Sequence, residues 1–298
     1  MKNYILFAAA ALSLSACNSD DNYFDESVSV QINATIGESA QSRASDDMWD
    51  KGDNIGVTMS DRYVNLKYVT ENGDGTFSGT TMYFQNKVES LTLTAYYPYS
   101  GTEGQAPDII EVTTSGDRQT PAEQLKFDFL YAVKENVSAS NPNVNLSFSH
   151  MMSKLTFIFK NGNDGTDVSK ITSYEIDGLI LDGTFNPLSG VCAANSNSDD
   201  SPIVITLAEG TVQHDKELPP LIIFPQNIGN KTVKMKIHDS ENQDYICELK
   251  FGDNGIVSGN NYKFTITVKK TGLSIHTAIT DWKTEDLGGN AQSDDSDD

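Results

Sequence analysis

The segment "VSVQINATI", residues 28 to 36, places Val28, Val30, Ile32, Ala34 and Ile36 at every second position. Side chains alternate between the two faces of a strand, so this spacing marks a β-strand with one buried face. A helix would repeat its apolar residues three and four apart. The same period returns at Leu91, Leu93 and Ala95, at Leu155, Phe157 and Phe159, and at Phe264, Ile266 and Val268. It appears last at Leu273, Ile275, Thr277 and Ile279. Between these runs lie "ENGDGT" (71–76), "NGNDGT" (161–166) and "GDNG" (252–255). In such turns Asn and Asp bond their own backbone and Gly supplies positive φ. No long window carries a helical apolar period. The fold class is therefore all-β, and many short strands at this spacing predict antiparallel β-sandwiches.

The 298 residues suffice for two domains of ordinary size. "SASNPNVN" (138–145) reads as a link, and "LSFSHMMSKLTFIFK" (146–160) opens a fresh run of strands. The expected layout is a signal peptide at 1–16, an acidic tether at 17–26, an N-terminal sandwich at 27–145 and a C-terminal sandwich at 146–286. An acidic, disordered tail is expected at 287–298, and "NSNSDDS" (195–201) reads as a loop.

Lys2 followed by "YILFAAAALSL" (4–14) forms the charged and apolar regions of a secretory signal. Leu14-Ser15-Ala16-Cys17 matches a lipobox, which makes Cys17 the expected lipidated first residue of an outer-membrane lipoprotein. Each acyl chain contributes about 0.8 kcal/mol per buried CH2, and several chains together anchor a protein stably. Ser19, Asp20 and Asp21 follow as an acidic run that serves as a solvated tether or resembles a surface-export signal. No later run is long and apolar enough to form a spanning helix.

The net charge of −21 argues against nucleic acid and anionic membrane surfaces as partners. His150, His214, His238 and His276 lack metal-ligand spacing, and no HExxH, CxxC, GxSxG, P-loop or GxGxxG occurs. No enzyme activity, cofactor or metal is expected. "NGNDGTD" lacks the spacing of a calcium loop, and Asn-Gly and Asp-Gly are ordinary hairpin chemistry. His150 in "FSHMM" reads as a satisfied, half-buried histidine. The tyrosines of "TAYYPYS" (94–100) read as a strand end with alternating buried and exposed rings, or as a platform for sugars. The spacing of Cys192 and Cys247 does not decide between a disulfide and two apolar fillers.

Four stretches carry a family resemblance: "SRASDDMWDKGDNIGV" (42–57), "FSHMMSKLTFIF" (148–159), "LPPLIIFPQ" (218–226) and "GNNYKFTITVKKTGLSIHTAITDW" (259–282). In this order, behind a lipobox, they resemble the fimbrillins, the pilus and fimbrium-associated lipoproteins of Gram-negative anaerobes. The resemblance implies two tandem transthyretin-like sandwiches and a structural or adhesive surface subunit. Its partners would be other fimbrial subunits, the outer membrane through the lipid, and host or bacterial surface glycans or proteins. It also implies cleavage after Arg43, before Ala44, by a trypsin-like surface protease that removes the lipid and the first strand, Val28 to Ile36. Past Trp282 the chain is polar and acidic, with no further alternating strand, which leaves shaft, tip and anchor roles open. A glycan-binding lipoprotein of a nutrient-uptake system is the alternative reading.

Overall fold

The computed structural model describes residues 28–37, 48–196, 202–270 and 272–282. The first strands are β1 (Gln31–Ile36), β2 (Asn54–Met59), β3 (Tyr63–Val69), β4 (Thr76–Gly79), β5 (Ser90–Tyr97) and β6 (Ile110–Thr113). After a one-turn helix, α1 (Pro121–Gln124), come β7 (Leu130–Ser138), β8 (Asn143–His150), β9 (Ser153–Asn161) and β10 (Ile171–Asp177). Next are β11 (Asp182–Asn186), β12 (Val191–Ala194), β13 (Ile203–Thr206) and β14 (Leu221–Ile223). The last are β15 (Val233–Asp239), β16 (Asp244–Leu249), β17 (Asn260–Lys269) and β18 (Gly272–Asp281).

The architecture is all-β, built from four sheets. A closed barrel runs β1-β4-β3-β2-β5-β7-β8, and its core includes Ile55, Val57, Met59, Leu93 and Phe148. Two four-stranded sheets, β13-β10-β15-β16 and β14-β9-β17-β18, share a second core around Phe157, Phe159, Tyr174, Ile237 and Phe264. The alternating segments read from the sequence lie in β1, β5, β9, β17 and β18. Two pairings depart from the antiparallel expectation: β1 runs parallel to β8, and β17 parallel to β9. Parallel neighbours need a long crossover between them, and about a hundred residues separate each pair; a period of two says nothing about strand direction.

"SASNPNVN" forms the turn between β7 and β8, closed by the Asn141 N–H donating to the Ser138 carbonyl at 3.0 Å. The expected boundary at 145/146 therefore falls inside β8, which lies in the barrel beside β1 and β7. The chain passes to the second core through Met151 and Met152, between β8 and β9.

The two cores are joined by more than a linker. β6 leaves the barrel half to pair with β11, making a three-stranded sheet β12-β11-β6. A third apolar cluster fills the seam: Tyr96, Phe127, Phe129, Met152, Phe185, Ile222, Phe224 and Trp282. The buried Gln119 amide bonds both the N–H and the carbonyl of Ile222 at 2.9 Å, as a strand partner would. In "LPPLIIFPQ", Pro219 and Pro220 precede β14 and Pro225 follows Phe224, so the three prolines, which cannot donate to a ladder, bracket a short strand.

Candidate assembly site

The barrel closes through β1. Val30, Ile32, Ala34 and Ile36 point into the core with at most 6% exposure, while Gln31, Asn33 and Thr35 face solvent. Val28, ahead of the strand, is half-buried against the same core. On one side β1 pairs antiparallel with β4, Ile32 opposite Phe77, and the Ala34 N–H donates to the Gly75 carbonyl at 2.8 Å. On the other side it runs in parallel register with β8 from Gln31 opposite Asn143 to Ile36 opposite Phe148.

Trp49 clamps this strand. Its ring is buried and stands edge-on to Phe77, Tyr97 and Phe148, with centroids 5.0, 5.6 and 5.2 Å away. Edge-to-face packing is the favoured geometry for aromatic quadrupoles. The indole Nε1 donates to the Ala34 carbonyl at 2.9 Å, so one side chain both fills the barrel and ties down β1. A tight turn follows Trp49: Gly52 has φ +90° and the Asp53 N–H donates to the Asp50 carbonyl at 3.0 Å. The Asp53 carboxylate accepts from the Asp50 N–H at 2.7 Å and the Tyr97 hydroxyl at 3.2 Å. Burial pushes that carboxyl above its ordinary range against these two bonds. Burial, reinforced by Asp53, likewise pushes the Tyr97 hydroxyl up. Gly75 is the residue whose backbone β1 needs: at φ +80°, a Cβ there would sit 2.4 Å from the Ala34 carbonyl oxygen.

Among the described residues, β1 is joined covalently to the later strands only across positions 38–47, which contain Arg43 and Ala44. Cys17, Ser19, Asp20, Asp21, Arg43 and Ala44 all lie outside the described residues. At the opposite end of the chain, β18 is the edge of its sheet and pairs with β17 alone among the described strands. Leu273, Ile275 and Thr277 are half-buried there, and Ile279 is 46% exposed.

Other expectations met different surroundings. Tyr96 and Tyr97 are both buried rather than alternating, because β5 has the barrel on one face and the seam on the other. His150 is buried and only half satisfied: Nδ1 lies 2.9 Å from Asp128 Oδ1, and Nε2 has no partner. Both thiols are free, Cys192 on β12 and Cys247 on β16, and the Cys192 Sγ–H points at Met152 Sδ 3.3 Å away. Among the described residues no group of three or more His, Cys, Asp or Glu is placed to hold a metal, and no helix is long and apolar enough to cross a membrane. The "ENGDGT" turn contains Gly75, at positive φ as read, but its close approach to Ala34 and the Trp49–Ala34 bond join separate segments of the chain and have no local signal.

Comparison with known proteins places these features in a family. A fimbrium subunit candidate from Bacteroides uniformis, Fim1C, is 28% identical over 314 residues, covering 97% of this chain and 98% of that protein. A solved candidate cell adhesion protein from Bacteroides ovatus superposes with a TM-score of 0.71 at 27% identity, covering 88% of this chain and all (100%) of that one. Another candidate cell adhesion protein, from Bacteroides uniformis, shares the fold with a TM-score of 0.69 at 24% identity over 87% of this chain and 99% of its own. The fimbrillin-like family profile matches residues 42–282, which is most of the sequence, and the chain belongs to the fimbrillin-like family.

Proposed function

We propose that this chain is a surface-exported lipoprotein that serves as a structural or adhesive subunit of a fimbrium, joining neighbouring subunits by β-strand exchange at the seat of β1. In this reading its two halves are tandem transthyretin-like modules, Cys17 carries the lipid, and Ser19, Asp20 and Asp21 direct export. Cleavage between Arg43 and Ala44 then frees the body from its anchor. The observation that carries the proposal is the position of β1: it is the closing strand of the barrel, bonded on both edges, yet among the described residues joined covalently to the later strands only across the positions that hold Arg43. Departure of β1 uncovers an apolar groove between β4 and β8 with two rows of unpaired backbone groups, and such an edge captures an alternating strand from another chain. β18, half-exposed at its sheet edge, is the alternating strand of this chain best placed to be offered in return.

The test is immunogold electron microscopy of fibres sheared from cells. Fibres from wild-type cells are expected to carry the label. Arg43→Ala is expected to keep the protein on the cell and off the fibres, and Cys17→Ala to prevent its delivery to the surface. Equal labelling of fibres from Arg43→Ala cells would refute the cleavage step.

A further inference from the structure

The chain contains three Asn-Gly pairs, Asn72-Gly73, Asn161-Gly162 and Asn254-Gly255, each where one strand gives way to the next. We propose that the first is a self-modification site: Asn72 deamidates to isoaspartate, and the altered turn loosens the seat of β1. This chemistry needs neither cleavage nor a second subunit.

In deamidation the backbone nitrogen of the following residue loses its proton to base and bonds to the side-chain Cγ, and the amide nitrogen leaves as ammonia. Water then opens the cyclic imide. Rupture of its bond to Cγ gives aspartate, and rupture of its bond to the main-chain carbonyl carbon gives isoaspartate. Nothing is oxidised or reduced. A following glycine puts no Cβ in the way of the attack and lets the backbone turn to make it. The rate then depends on how firmly each glycine nitrogen is held. The Gly162 N–H donates to the Val268 carbonyl at 2.8 Å, and Asn161 Oδ1 accepts from the Val168 N–H at 2.9 Å. Asn161 is also paired with Val268 between β9 and β17. Gly255 is buried: its N–H donates to the Gly252 carbonyl at 3.3 Å, and its carbonyl accepts from the Tyr262 hydroxyl at 2.9 Å. The Gly73 N–H has no acceptor among the described residues. Asn72 is exposed, and its amide makes one long hydrogen bond, 3.4 Å, to Asp74.

The same turn carries β1. Asn72 lies in the connection from β3 to β4, and the length of such a connection sets strand register. Here it places Tyr68 opposite Gly79, and through β4 it places Thr76 opposite Asn33 of β1. The Gly75 carbonyl accepts from the Ala34 N–H at 2.8 Å. Gly73 packs so closely that a Cβ there would sit 2.6 Å from the Trp49 carbonyl oxygen. Isoaspartate routes the main chain through Cβ, which lengthens the connection by a carbon atom. It also adds a carboxylate beside Glu71 and Asp74. A turn so lengthened no longer matches both the β3 register and the Gly75–Ala34 bond, so β1 is held less firmly.

Uncut protein is incubated at pH 8 and at pH 6, and all three asparagines are followed by peptide mapping with mass spectrometry and by isoaspartyl methyltransferase labelling. Asn72 is expected to convert several-fold faster than Asn254, while Asn161 stays intact. Conversion should be faster at pH 8, because the attacking nitrogen must lose its proton. The aged protein is expected to unfold at lower urea and to exchange the amide hydrogens of β1 faster than fresh protein does. Asn72→Gln, whose longer side chain disfavours ring closure, is expected to keep its fresh values through the same incubation. Asn72→Ser has no amide to lose and takes its place should the glutamine variant misfold. Conversion of Asn161 or Asn254 ahead of Asn72, or none at Asn72, overturns the site. Aged wild type that protects β1 as well as the aged variant does would refute the effect on the strand.

Discussion

Trp49 couples two segments that the sequence separates. Its ring contacts Phe77, Tyr97 and Phe148, and its Nε1–H reaches the Ala34 carbonyl. Trp49→Phe retains most of the apolar volume but strands that buried carbonyl, so it is expected to cost about 1–3 kcal/mol. Trp49→Ala adds a cavity and is expected to cost about 3–5 kcal/mol. Urea unfolding followed by circular dichroism measures both, and equal losses would show that the hydrogen bond contributes nothing. The thiols give a second residue-level prediction. Burial pushes Cys192 up to about 12 and Cys247 up to about 11. The thiolate is the reactive form, so iodoacetamide at pH 8 should modify both far more slowly in the native protein than in urea. Native labelling should quicken as pH rises, and mass spectrometry follows it. Rapid native modification at pH 8 would contradict the burial of these groups. At this scale the sequence was legible where chemistry is local: the "ENGDGT" turn was readable from its own residues, and Gly73 and Gly75 there take positive φ. The burial of His150 was not, because the Trp282 ring stacked on it at 4.0 Å comes from far along the chain.

β1 shows what period-two alternation can and cannot tell. The inward set Val30, Ile32, Ala34 and Ile36 is readable directly, because side chains on a pleat must alternate. Its neighbours are not: alternation is blind to direction and partner, and β1 takes one antiparallel and one parallel neighbour from different regions. The proposed exchange makes β1 the informative element to remove. Val30, Ile32 and Ile36 each stabilise the fold by about 1.5–3 kcal/mol when fully buried, so losing them costs up to about 5–9 kcal/mol. That is an upper bound, because the unfolded chain is already partly collapsed. A protein beginning at Ala44 is therefore expected to unfold at lower urea and to self-associate through its open groove. A synthetic peptide of residues 28–37 should raise the urea midpoint and return the protein to a monomer on size-exclusion chromatography. The same peptide carrying Ile32→Asp should do neither, since it would bury a charge. A truncated protein that remains monomeric, and is indifferent to the peptide, would mean that the groove collapses rather than waits for a strand.

At the scale of the molecule, the all-β class was readable because alternation and turn chemistry recur along the whole chain. The seam was not, because its members are gathered from positions spread between Tyr96 and Trp282. β6 joins β11, and Gln119 pairs with Ile222 across a long sequence separation. This arrangement predicts how the protein unfolds. Interfaces between domains in one chain are commonly polar and permit relative motion. Here the seam is aromatic: Phe129 and Phe185 stack with centroids 4.5 Å apart and planes 9° from parallel, and Tyr96 tilts onto Phe185 at 6.3 Å. Phe185 is fully buried on β11, which also carries the sheet pairing with β6. Such a seam couples the barrel to the second core, so the intact protein is expected to unfold in one calorimetric transition. Phe185→Ala removes the stacked ring from the middle of the seam at a cost of about 3–5 kcal/mol. It leaves the interiors of both flanking cores untouched, since Phe185 belongs to neither. Two separated transitions are therefore expected for the variant. Replacing Ile237, buried in the second core, by Ala should cost a comparable amount, about 2–5 kcal/mol. That change lies away from the seam and should lower the single transition without splitting it. Were the unmodified protein to show two transitions already, the halves would be independent modules and the seam a passive contact.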